Sequence, residues 1–309
     1  MNILIIGLGS IALKHINAIK KVDNQIKIYA YRSKFYQYTL PGVIDIYSLE
    51  NMNVMFDFAI ISNPTHLHSR FIDLLSEKGV NLFIEKPPLA TLSDADRLLK
   101  KIEKLNLITY VGCNLRFHPC LIFLKKELFN NKRINEVNIY SGSYLPNWRP
   151  GKNFREIYSV YPEMGGGVHL DLFHELDYTF WLFGKPNLVS SIKRNVSSLN
   201  IKAVDYANYL FEYKTYSVNI ILNYYRKDSK RLIEVLFDDD TWTIDLTKNK
   251  ITDSSNNILF EEKNFEMLET YYKQMIYFID AIKSNKHTMN SLYESIEVLK
   301  LCLNNGDAK

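Results

Sequence analysis

Between Asn2 and Ala12 the chain runs from an unbroken apolar, β-branched stretch (Asn2 to Ile6) through Gly7-Leu8-Gly9 directly into an amphipathic segment, Ser10 to Lys21. A short apolar run of this kind reads as a buried strand, and glycines placed right after it read as a tight turn into a helix. In that setting Gly7-Leu8-Gly9-Ser10-Ile11-Ala12 fits the G-x-G-x-x-G/A pattern of a dinucleotide site. Gly7 and Gly9 let the backbone approach a pyrophosphate. The helix N-terminus, with Ser10 and Ile11 in its first turn, favours the phosphate charge, and Ala12 lets helix and strand pack closely. The same stretch is a poor secretory leader, because no basic residues precede the apolar run and glycines break it. A cytoplasmic protein is expected.

From residue 1 to 118 short apolar strands alternate with segments of helical period. The strands are Ile26 to Tyr31, Phe56 to Ser62, Asn81 to Glu85 and Leu107 to Gly112, and the helices include Leu67 to Lys78 and Leu92 to Leu105. This is the rhythm of a doubly wound parallel sheet. After 118 it changes. A helix near Leu121 to Phe129 and a strand near Val137 to Tyr144 lead into a Pro/Gly-bearing loop, Leu145 to Gly167, and then a helix from about Val168 to Phe183. Four or five extended segments follow between Leu188 and Leu246, joined by short polar turns, and two helices close the chain at Glu266 to Ser284 and Asn290 to Asn304. The expected fold class is α/β. A Rossmann domain over 1–118 precedes an α+β domain over 119–309 with an open, mostly antiparallel sheet, and the last helix can pack back on the first domain.

Composition removes several other classes. With 309 residues the chain has room for two domains of about 150 residues each. Its 38 basic against 34 acidic residues leave a net charge of +4, too mild for a nucleic-acid surface but compatible with a small anionic ligand. No apolar stretch reaches membrane-spanning length, so no membrane partner is expected. The 3 cysteines, Cys113, Cys120 and Cys302, form no C-x-x-C pair and fit a reducing compartment.

Choice of dinucleotide turns on the end of the second strand, where an acid would accept hydrogen bonds from a ribose 2′-hydroxyl. The segment reads Tyr29-Ala30-Tyr31-Arg32-Ser33-Lys34 and holds no acid. Arg32 with Ser33 can instead hold a 2′-phosphate, which favours NADP over NAD, although an arginine here also fits a solvated loop. The arginines of the long loop, Arg149 and Arg155, flanked by Trp148 and Tyr158, suit a phosphate or carboxylate on a substrate, or equally an exposed charged surface.

Five segments together give the chain a wider resemblance: GLGSIALKH (7–15), SNPTHLH (62–68), Glu85-Lys86-Pro87, NLRFHP (114–119) and GGGVHLDLFHELDYTFWLFG (165–184). In this order and spacing they resemble the Gfo/Idh/MocA family of nicotinamide-dependent oxidoreductases. That resemblance implies hydride transfer at a hydroxyl or keto carbon of a sugar, cyclitol, nucleotide sugar or sugar acid. It places Asn63, Pro64, His68, Glu85, Lys86 and Asn114 near the cofactor, and Arg116 and His118 near the substrate. Lys86 and His174 become the catalytic pair, with Asp171 beside them. The family pattern is D-x-x-x-H, whereas here Asp171 precedes His174 by one residue fewer. On one helix the two still share a face.

His169, Asp171 and His174 also raise a metal triad, but on a helix residues 169 and 171 stand about 200° apart, so no metal is expected. The loop YLPNWRPG and the shortened motif resemble members of bacterial surface-glycan pathways. The family implies a homodimer or homotetramer. Two other functions fit the same motifs: a nicotinamide-assisted glycoside hydrolase with no net redox change, and a non-catalytic NADP-binding regulator.

Overall fold

The computed structural model describes residues 1–32, 39–50, 54–128 and 132–304. They divide into two compact units, Met1–Asn114 with Met267–Leu299, and Leu115–Glu266 with the chain from Lys300 onward.

The first unit opens with β1 (Asn2–Ile6), α1 (Ser10–Val22), β2 (Lys27–Tyr31), β3 (Val43–Ile46) and β4 (Phe58–Ile61). It continues through α2 (His68–Glu77), β5 (Asn81–Glu85), α3 (Ala95–Lys104) and β6 (Thr109–Gly112). The strands form one six-stranded sheet in the order β3-β2-β1-β4-β5-β6, all parallel. This is the doubly wound order, which reverses between β1 and β4. Those two central strands, covered on both faces, are apolar throughout: Ile3, Leu4 and Ile5 of β1 and all of β4 are buried. β3 has only Val43 fully buried, and so short a strand leaves no alternation for sequence reading to find.

The second unit begins with α4 (Pro119–Glu127) and β7 (Ile134–Tyr144). The loop that follows is not featureless. It carries single 3₁₀ turns at Leu145–Asn147, Phe154–Glu156, Tyr158–Val160 and Pro162–Met164. The helix expected over 168–183 is two pieces, α5 (Val168–Asp171) and α6 (Phe173–Phe183). Leu172 between them leaves helical geometry at φ −96°, ψ 35°. Then come β8 (Leu188–Arg194), β9 (Tyr206–Glu212), β10 (Ser217–Asn223), β11 (Tyr225–Phe237), β12 (Thr241–Asp245), β13 (Lys250–Thr252) and β14 (Ile258–Glu261). Their sheet runs β14-β13-β12-β11-β7-β10-β9-β8, antiparallel except where β7 lies parallel to β10. Alternation sets its faces: Val218, Ile220 and Leu222 of β10 are buried while Ser217, Asn219 and Ile221 are only partly covered.

The last helices are α7 (Leu268–Ser284) and α8 (Leu292–Leu303). A division at residue 118 alone does not describe the packing, because α7 and most of α8 belong to the first unit. The reason is apolar. α7 packs along α1, and its Phe278 meets Phe58 of β4 at 5.0 Å and Phe83 of β5 at 5.5 Å between ring centres, both edge-on. No helix among the described residues is long and apolar enough to cross a membrane. Replacing Phe278 by Ala is expected to cost about 3–5 kcal/mol of stability, read as a lowered urea midpoint with loss of the first unit's cooperativity.

Candidate active site

Three loops emerge at the C-terminal ends of parallel strands β1, β4 and β5, the end at which doubly wound sheets bind their ligands. After β1, Gly7 adopts φ +87°, and a Cβ there would fall 2.6 Å from the Asn63 backbone. The first and second loops therefore touch, and only glycine fits. Ser62 Oγ donates to the Gly7 carbonyl at 3.0 Å across the same contact. Gly9 caps α1 with nothing within 4 Å of where its Cβ would stand, and it makes no side-chain cap hydrogen bond. Both polar atoms of the Asn63 side chain are buried with no partner among the described residues. An open helix N-terminus beside an unsatisfied amide is what a dinucleotide would complete, so Gly7, Gly9, Ser10, Ile11 and Asn63 fit that group. Exposed Pro64 opens the 3₁₀ turn that leads into α2.

His68, expected near the cofactor, braces two of these loops. Its Nε2 lies 2.9 Å from the Asn63 carbonyl and its Nδ1 3.2 Å from that of Pro88, so the buried ring ties the second loop to the third. Burial holds its pKa below the ordinary histidine value. Glu85 is likewise spent inside the protein, accepting from His15 Nε2 at 2.5 Å with His15 fully buried. Sequence reasoning missed this pair, although His15 stands in the quoted GLGSIALKH segment. Lys86 follows at the strand end, half-buried, with a cis peptide to Pro87. Asn114 is also interior, its Nδ2 donating to Thr270 Oγ1 at 2.6 Å.

At the end of β2, Arg32 Nη1 donates to Asp45 Oδ1 of β3 at 3.3 Å. An acid therefore stands beside Arg32 after all, 13 residues further along the chain. Ser33, assigned to the same spot, lies outside the described residues.

In the second unit the Asp171 carboxylate, at the end of α5, is gripped by two phenols. Tyr158 donates to Oδ1 at 2.6 Å and Tyr224 to Oδ2 at 2.5 Å. Burial and the carboxylate raise both tyrosine pKa values well above the ordinary range, so both stay protonated donors. Trp148 stands edge-on to Tyr224 at 5.3 Å, with Nε1 on Ser143 Oγ at 2.8 Å, and the Arg149 guanidinium lies 5.6 Å from the Tyr158 ring centre. Two phenols thus hold one carboxylate, and Trp148 and Arg149 stand against those phenols. Tyr224 was absent from the sequence expectation because nothing local marks it. Arg155 points elsewhere, onto the Asn200 carbonyl at 3.1 Å. His174 is half-buried in the first turn of α6, across the Leu172 break from Asp171. The two do not share one continuous helix as the spacing suggested.

Arg116 and His118, expected near the substrate, are both buried. Arg116 is wholly buried and forks onto Asp177 of α6, Nε to Oδ2 at 2.9 Å and Nη2 to Oδ1 at 2.8 Å. His118 caps α4: Nδ1 accepts from Cys120 N at 3.2 Å, so the proton is on Nε2, which donates to Asn249 Oδ1 at 3.2 Å. His169 is buried, and its pKa is pushed down to about 4 by desolvation and then by the Lys193 charge. Among the described residues no three His, Cys, Asp or Glu side chains are placed to hold a metal.

Residues 1–113 match the family model described as an oxidoreductase family with an NAD-binding Rossmann fold. Over those residues the chain is similar to the Gfo/Idh/MocA family. Myo-inositol 2-dehydrogenase of Thermotoga maritima is 27% identical over 197 residues, 60% of this chain and 55% of that protein. The 2,7-anhydro-N-acetylneuraminate hydratase of Mediterraneibacter gnavus is 28% identical over 156 residues, 49% of this chain and 39% of that protein. The chain thus spans about half the length of these relatives or less. Over 98% of its own length and 95% of the other's, its fold is that of UDP-N-acetylglucosamine 3-dehydrogenase GnnA from Acidithiobacillus ferrooxidans, with a TM-score of 0.79 at 16% identity.

Arg116→Ala leaves Asp177 buried without its partner, and the expected loss is roughly 3–5 kcal/mol in chemical denaturation. His169 gives a pH signature. Its folded pKa of about 4 lies below the ordinary 6.5, so the unfolded chain binds the proton first and stability falls as pH drops from 6.5 towards 4. That contribution is about 3 kcal/mol, and a His169→Gln variant is expected to flatten the acid limb of a stability-versus-pH curve.

Proposed function

We propose that the chain is an NAD(P)-dependent oxidoreductase acting on a CH–OH group of a sugar, nucleotide sugar or sugar acid. The observation that carries this is the grouping of Gly7, Gly9, unsatisfied Asn63 and Lys86 at one end of a parallel sheet. A bound nicotinamide supplies hydride exchange. The proton and the geometry are left to side chains of this chain. Lys86 donates a hydrogen bond to the substrate oxygen and holds it. His174 takes the hydroxyl proton as general base, and returns it in the reverse direction, since histidine titrates near neutrality.

Asp171 is a positioning residue: both oxygens already accept from phenols, so it fixes the Tyr158 and Tyr224 walls. Exposed Arg149 at that wall suits an anionic substituent such as a sugar acid or a nucleotide diphosphate. Two relatives support the class, one named for oxidation of an inositol and one for a nucleotide sugar. A bacterial surface-glycan pathway and a cytoplasmic location agree with this reading. So does pairing of two copies through the partly exposed face of the second sheet that carries Ile192 and Leu210.

A second reading has its own support. One relative is named a hydratase, so a reaction with no net change in the dinucleotide fits the same fold. A panel of inositols, sugar acids and UDP-sugars, followed at 340 nm and by product chromatography, separates the two. Lys86→Ala and His174→Asn are each expected to lower kcat by about 10²–10⁴ with dinucleotide binding kept. Full activity in either variant removes that residue from the mechanism.

A further inference from the structure

A cavity of about 490 Å³ opens on the second sheet where β8 ends and β9 and β11 begin, the size of a small-ligand pocket. Ile192, Arg194, Val196, Tyr206 and Tyr225 line it. Arg194 and Tyr206 are cross-strand partners, and Ile192 stands two residues before Arg194, so the three share a face. It is not the face of the Asp171 wall. Tyr224 is wholly buried and donates to Asp171, whereas Tyr225, the next residue, turns the other way and is 37% exposed.

The loop that carries Val196 is held from inside the protein. Ser197 N and Oγ donate to Asp205 Oδ2 at 3.1 and 2.6 Å, and Arg155 Nη1 donates to the Asn200 carbonyl of the same loop at 3.1 Å. Asp205 is wholly buried, so the charged group that meets an incoming ligand is Arg194, which is exposed. Its guanidinium has no hydrogen-bond, ion-pair or ring partner among the described residues, unlike Arg97, Arg116 and Arg231, each of which lies on a carboxylate.

An unpaired guanidinium presents a fork that matches phosphate oxygens. The two tyrosine rings offer faces for a planar ring, and exposed Ile192 and Val196 add apolar cover. A bare aromatic acid leaves most of the cavity empty, while base, ribose and phosphate together fill more of it. We propose that this cavity is a further ligand site, taking a nucleoside monophosphate with its base against Tyr206 and Tyr225 and its phosphate on Arg194. The site is separate from the glycine loop of the first unit and does not rest on the reaction assigned above.

The test is isothermal titration calorimetry of the full chain, in the oligomeric state in which it purifies, with uridine monophosphate, uridine and inorganic phosphate. Uridine monophosphate is expected to bind at least about tenfold tighter than either part alone. Arg194→Gln is expected to weaken it at least about tenfold by removing the charge-assisted contact. Tyr225→Leu is expected to weaken it about fivefold or more by removing a stacking face. Both positions are exposed, and thermal melts identify the folded variants. Phosphate binding as tightly as the nucleotide overturns the proposal, as does unchanged nucleotide affinity in either folded variant. No binding of the nucleotide, the result if a second copy paired over Ile192 fills the cavity, overturns it as well.

Discussion

The backbone of Asn63 occupies the space where a side chain on Gly7 would be. That contact joins the loops after β1 and β4, the two strands between which the sheet reverses direction. Much of the first unit's polar end is arranged around it. Ser62 fastens the loops from one side, and His68 runs on from Asn63 to Pro88, beside the Lys86 turn. Asn63 is held there through its backbone, and its buried amide side chain has no hydrogen-bond partner among the described residues. Rigid backbone and spare polar atoms are the conditions for a preorganised ligand site.

The histidines show how differently one residue type is used. His15, His68, His118 and His169 are buried, and the first three brace a carboxylate, two carbonyls and a helix cap. His174, which we propose for proton work, is half-buried. At His68 and His169 burial disfavours the charged imidazole, which removes the acid/base use. The arginines divide the same way. Arg116 is locked onto Asp177 in the interior, and Arg149 is exposed beside Tyr158. A motif carries the residue type, but its task depends on what packs around it.

Much of the fold was legible along the chain. The strands β1, β4 and β5 are short apolar runs, and α1 and α2 have helical period, so local pattern reports them. The nucleotide loop was legible for the same reason, its glycines being adjacent in sequence. The Asp171 cluster was only half legible. Asp171 and Tyr158 lie in a motif and its preceding loop, whereas Tyr224 follows β10 and reaches Asp171 from 53 residues away. The break at Leu172 was hidden because an apolar leucine between two helical stretches carries no stop signal.

Alone, the sequence determined the elements whose cause is local: the order of strands and helices, the glycine turn, the lysine at a strand end and the absence of membrane-length apolar runs. Tertiary structure decided everything that depends on which distant segments become neighbours. It assigned α7 to the first unit through Phe278, buried Arg116 against Asp177, and set Asp45 beside Arg32 by the register of β3 on β2. The physical reason is range. Periodicity and turn chemistry act over a few residues, while ion pairs, aromatic contacts and strand register are settled only when the whole chain packs.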